Sequence, residues 1–81
     1  MIIEVQFFAR ARDLVGQPSA EVELGDSASV ADLRAELGKN FPELKPLLPQ
    51  LFIAINEDFV SDTQSIPEQA RVACFPPVSG G

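Results

Sequence analysis

The stretch Ser29-Val30-Ala31-Asp32-Leu33-Arg34-Ala35-Glu36-Leu37-Gly38-Lys39-Asn40-Phe41-Pro42 decides how the rest of the chain can fold. Ser29 and Asp32 have the S-x-x-D spacing of a capping box, in which two side chains satisfy the amide donors that open a helix. Val30, Leu33, Leu37 and Phe41 follow at helical spacing and form one apolar stripe, while Asp32, Arg34, Glu36 and Lys39 fall off it. Pro42 ends the helix, because the residue before a proline is pushed out of the helical region. Gly38 weakens the last turns slightly. A helix with a single apolar stripe needs one flat partner, and the flanking segments supply it.

On the N-terminal side, Ile2 to Phe8 alternates: Ile3, Val5 and Phe7 share one face, and Ile2, Glu4, Gln6 and Phe8 the other. Ala9 to Val15 predicts a short helical turn ended by Gly16, and Pro18-Ser19 resets the chain. Ala20 to Leu24 alternates again, so the two strands predict a hairpin. On the C-terminal side, Glu43 to Gln50 holds Pro46 and Pro49 and reads as a connecting loop, with Leu47 and Leu48 tucked onto the core. Leu51 to Ile55 reads as a third strand, Asn56-Glu57-Asp58 as a turn, and Phe59-Val60 as a short fourth strand. Ser61 to Gln69 is a polar loop anchored by Ile66, and Arg71 to Phe75 is the last strand. The predicted architecture is α+β: a mixed sheet of four to five strands with one main helix packed on one face. That order of elements fits the β-grasp, or ubiquitin-like, arrangement, in which the first and last strands lie side by side at the sheet's centre.

Composition narrows the chemistry. The chain has 81 residues, which predicts a single domain over residues 1–81 with a flexible tail at 76–81. Twelve acidic and six basic residues give a net charge of −6. This argues against nucleic acid, whose binding rests on phosphate neutralisation. No apolar run approaches the roughly 20 residues of a membrane span, and Met1-Ile2-Ile3-Glu4 lacks the basic region of a signal peptide. Membrane association is therefore not expected, and the cytoplasm is the expected location. There is no histidine and only one cysteine. Ser-His-Asp and Cys-His catalysis and a histidine-ligated or multi-cysteine metal site are excluded. Catalytic groups are thus expected to come from partners.

The alternation then makes a sharper statement. If the helix covers the face of Ile3, Val5, Phe7, Val22, Leu24, Ile53, Ile55, Val72 and Cys74, the other face is open. On it fall Phe8, Phe52, Ala54, Ala73 and Phe75, with Phe59 nearby. A solvated sheet face should be polar, so this ring cluster reads as a docking surface. Beside it the chain ends Cys74-Phe75-Pro76-Pro77-Val78-Ser79-Gly80-Gly81. Pro76-Pro77 hold the exit extended, and Gly80 and Gly81 carry no Cβ, so the tip suits a narrow site in another protein. Cys74 points inward and reads as a small inert core group. Arg10 and Arg12 read as solvated charges on a surface turn.

The segments "VQFFARARDLVG", "VADLRAEL", "AINEDFV" and "VACFPPVSGG" together resemble the small subunit of molybdopterin synthase, the sulfur carrier of molybdenum-cofactor biosynthesis. The likeness runs across all 81 residues, and the terminal Phe-Pro-Pro-Val-x-Gly-Gly is its specific part. Cys74 departs from the aromatic residue more usual there. The resemblance implies that Gly81 is adenylated by a ubiquitin-activating-type enzyme that consumes ATP and magnesium. The adenylate becomes a thiocarboxylate. Its sulfur then passes, within the large synthase subunit, to a cyclic pyranopterin monophosphate, building the dithiolene. It also implies a heterotetramer with one carrier at each end, no stably bound cofactor and no metal ligand on the carrier. Phe8, Phe59 and Phe75 would contact both partners, and Ser79, Gly80, Pro77 and Pro76 would form the inserted tail. A terminal Gly-Gly also fits a ubiquitin-like protein modifier or a thiamine-type sulfur carrier, and the fold alone fits a plain binding domain.

Overall fold

The computed structural model describes residues 1–77. In chain order the elements are β1 (Ile2–Phe7), α1 (Ala9–Val15), β2 (Ser19–Glu23), α2 (Val30–Asn40), 3-10 turns at Pro42–Leu44 and Leu48–Gln50, β3 (Phe52–Ile55), β4 (Asp58–Val60) and β5 (Arg71–Phe75). The strands form one sheet in the order β2-β1-β5-β3-β4. β1 and β5 are parallel, and every other pairing is antiparallel. The first and last strands are therefore central neighbours, and the architecture is the expected ubiquitin-like β-grasp.

The capping box at α2 is complete. The Asp32 amide donates to Ser29 Oγ at 3.3 Å, and the Ser29 amide donates to Asp32 Oδ2 at 3.0 Å. Val30, Leu33 and Leu37 are fully buried against Ile3, Val5, Ile53 and Val72. Phe41 closes that stripe, its ring edge-on to Phe7 with centroids 5.7 Å apart. Gly38 has a steric reason: a Cβ there would lie 3.0 Å from Leu48 Cδ1.

Three expectations change. Residues 43–50 are not a plain loop but two tight turns, closed by Leu44 N–H to Phe41 O (2.9 Å) and Leu51 N–H to Leu48 O (3.2 Å). The turns drive Leu44 into the core and leave Leu48 half-buried. The segment after Phe8 is a seven-residue helix, and Gly16 at φ 83° supplies the left-handed exit that its terminus requires. Arg34, expected on the solvent side, is instead a clamp. Its guanidinium donates to Leu48 O at 2.5 Å, Leu51 O at 2.6 Å and Asp62 Oδ1 at 2.8 Å. One side chain thus ties α2 to the segment entering β3 and to the loop before β5.

Candidate functional site

Strand alternation fixes which side chains reach the face that α2 leaves open. Cys74 is fully buried, so Phe75, one residue on, points to the other side. The β3–β5 register pairs Phe52 with Phe75 and Ala54 with Ala73, and the β3–β4 register pairs Ala54 with Phe59. Phe8 joins from β1, because its N–H donates to Cys74 O at 3.2 Å and extends the parallel ladder by one step. Ala9 then turns the chain into α1 at φ 51°, a left-handed conformation costly for a residue with a Cβ.

The result is a chain of four rings. Phe8 stacks on Phe75 at 4.7 Å and 8° between planes. Phe75 meets Phe59 edge-on at 5.8 Å, and Phe59 meets Phe52 edge-on at 6.1 Å. Offset-stacked and T-shaped pairs are the favoured aromatic geometries. The rings remain open to solvent: Phe8 is 40%, Phe52 53% and Phe59 68% exposed. With Ala9, Pro76 and Pro77 they line a shallow apolar depression of about 740 Å³. Pro76 and Pro77, the last described residues, form part of its wall. Ser79, Gly80 and Gly81 lie outside the described residues.

Sequence reasoning placed Phe8, Phe59 and Phe75 in this cluster, and the structure brings them together. Phe52 belongs with them and was underweighted; its alternation already put it on the open face. Ala54 is on that face yet buried, because neighbouring rings cover so small a side chain. The other half of the face is acidic: Glu4 pairs in register with Glu21 on one side and Arg71 on the other. Two like charges directly opposed cost stability in a sheet.

Nothing among the described residues supplies catalysis. Burial pushes the Cys74 thiol up to about 12, against a small opposing effect of the Arg34 charge, so it carries no thiolate at neutral pH. No group of three metal-capable side chains occurs among the described residues, and no helix there is long and apolar enough to cross a membrane. Arg10 and Arg12 are exposed on α1.

A central strand that ends in two prolines beside a ring cluster, on a sheet backed by one helix, defines a ubiquitin-like β-grasp protein. Residues 5–81 match the model of the ThiS family. The chain is 34% identical over 83 residues to the molybdopterin synthase sulfur carrier subunit of Chlamydomonas reinhardtii, covering all of both chains. It is 35% identical over 82 residues to that of Escherichia coli, covering 99% of this chain and 100% of that one. The chain therefore belongs to the family of molybdopterin synthase sulfur carrier subunits. Among solved structures, a Pyrococcus furiosus candidate for subunit 1 of the molybdopterin converting factor superposes with a TM-score of 0.86 at 31% identity, over 96% of this chain and 99% of that one. Two further likenesses speak to the fold alone. Small archaeal modifier protein 1 of Haloferax volcanii gives a TM-score of 0.86 at 21% identity, over 95% and 98% of the chains. A complex of subunits 1 and 2 of the Helicobacter pylori molybdopterin-converting factor gives 0.72 at 24% identity, over all of both chains.

Proposed function

We propose that this chain carries sulfur on its C-terminal carboxyl group for assembly of the molybdopterin dithiolene. The observation that carries the reading is the exit of β5: a strand hydrogen-bonded on both sides delivers Pro76-Pro77 to the rim of an exposed ring cluster, and the sequence then ends in Gly80-Gly81. A free carboxylate is a poor electrophile. Adenylation by an activating enzyme with ATP and magnesium gives Gly81 a good leaving group, and a sulfur donor replaces it to leave a thiocarboxylate. The large synthase subunit then receives the tail and places that sulfur against a cyclic pyranopterin monophosphate, so that docking supplies the proximity. Phe8, Phe52, Phe59 and Phe75 are the contact to both partners. Gly81 bears the cargo, Gly80 and Ser79 give clearance, and Pro76-Pro77 set direction.

Intact mass measured after incubation with the activating enzyme, ATP, magnesium and a sulfur source tests this. The expected gain is one oxygen-to-sulfur exchange, localised to Gly81. Unchanged mass with an activating enzyme shown to be active on another carrier refutes the reading. Stable isopeptide conjugates on a denaturing gel, with no thiocarboxylate, would assign the chain to protein modification instead.

A further inference from the structure

The reaction proposed above makes Gly81 an acylating agent, and an acylating agent is consumed by the nearest amine. The chain holds three: the α-amine of Met1 and the side chains of Lys39 and Lys45. None is on the open face. α-Amines as a class lose their proton closest to neutrality, yet that of Met1 is 5% exposed, donates to Leu24 O at 2.6 Å and lies 3.7 Å from Asp26. It also sits at the wrong end. β1 and β5 are parallel with Phe7 beside Cys74, so the tail leaves about 20 Å from Met1, by the rise of a six-residue strand. Lys39 closes α2, on the layer behind the sheet, and reaches Glu36 at 3.9 Å. The Lys45 stem lies along the backbone of Gly38 in the same helix. The cations of the open face and of α1 are Arg71, Arg10 and Arg12. A guanidinium is not deprotonated in proteins, so it offers no nucleophile.

We infer that this placing of amines keeps the activated carboxyl from acylating its own chain: the carrier presents arginine wherever its tail can fold back and lysine only behind the helix. The inference rests on activation at Gly81. The reaction avoided is attack of an ε-amine on the Gly81 carbonyl carbon. The C–N bond forms, the C–O bond to the adenylate phosphate breaks, AMP leaves and the amine's proton passes to water. The net product has lost one water, at the cost of the ATP used in activation.

Arg10→Lys and Arg71→Lys each place an amine within reach. Arg10 follows Ala9, which shares the depression with Pro76 and Pro77. Arg71 is four residues back along β5, about 13 Å, while the six residues from Pro76 to Gly81 span up to about 20 Å. Wild-type and variant chains are incubated with the activating enzyme and ATP-magnesium, without a sulfur source, at mildly alkaline pH. AMP release and intact mass are followed together. All three chains should release AMP, and the wild type should keep its mass. Each variant should accumulate a species lighter by one water, or a dimer lighter by one, at roughly tenfold the wild-type level, because a flexible tether holds the amine at an effective millimolar concentration. Peptide mapping should place the new amide at residue 10 or 71. If the variants release AMP and form no more amide than the wild type, or if the wild type itself loses water on Lys39 or Lys45, the inference is wrong. Absence of AMP from every chain overturns the activation reading, and this inference with it.

Discussion

Phe59 separates docking from folding better than any other ring in the cluster. It is 68% exposed, and the edge-on contacts to Phe52 and Phe75 are its packing within the cluster. An aromatic side chain offers about 200 Å², so docking can still remove roughly 135 Å² of Phe59 from water. At about 25 cal/mol per Å² that is ~3 kcal/mol. An alanine keeps part of it, and the net loss for Phe59→Ala is ~2 kcal/mol, close to 30-fold in Kd. The stability cost should stay near 1 kcal/mol, since what disappears is two edge contacts of about 0.5 kcal/mol each. Titration calorimetry against the large subunit gives the affinity, and urea unfolding followed by circular dichroism gives the stability. A Kd within twofold of wild type would show that the ring cluster is not the docking surface. A stability loss that matches or exceeds the affinity loss would show that the rings hold the sheet together instead.

Three further outcomes follow from the packing. Arg34→Ala strands two backbone carbonyls and Asp62, so at ~3 kcal/mol the melting temperature should fall by roughly 10–20 °C. Arg34→Lys should recover only part, because one ammonium cannot span three acceptors; a fall under about 3 °C in the alanine variant would refute the clamp. Asn56 and Glu57 both have positive φ, 50° and 76°, as a type I′ hairpin turn demands. Glu57→Gly should therefore stabilise the chain by about 0.5–1 kcal/mol in urea midpoint measurements, since the exposed Glu57–Arg71 pair it removes contributes little. The Cys74 thiol, at about 12 in the fold against 9.0 ordinarily, stays neutral while the unfolded chain ionises. Its contribution is thus complete below pH 9 and is lost as pH rises from there toward 12. Urea midpoints of wild type should drop across the alkaline range more steeply than those of Cys74→Ala, and parallel curves would contradict the burial of the thiol.

Most of the frame was legible because it depends on local periodicity. The stripe of Val30, Leu33, Leu37 and Phe41 and the alternation through Ile3, Val5 and Phe7 each specify a buried face, and two such faces have one way to meet. The open ring face was legible by the same rule: a phenylalanine one residue out of phase with the core has to point away from it. The role of Arg34 was not legible. Its partners are backbone carbonyls 14 and 17 residues away, and carbonyls carry no residue signature. Leu44 was missed for a related reason. In Pro42–Leu44 the spacing of apolar residues has neither period 2 nor 3.6, and the inward turn comes from hydrogen bonds three residues apart.

The central position of β5 joins these two kinds of information. An edge strand could fray and let the exit drift. β5 instead pairs with β1 on one side and β3 on the other, right up to Phe75, where Phe52 pairs with it and Phe8 stacks on its ring. Opening that last step would break ladder hydrogen bonds on both sides and separate the stacked rings, so the direction of Pro76 is coupled to the stability of the whole sheet. The same residue that ends the core begins the docking face. A change that loosens the core near Cys74 should therefore impair presentation of the tail before it unfolds the chain, whereas a change at Phe59 should impair docking and leave the exit where it is.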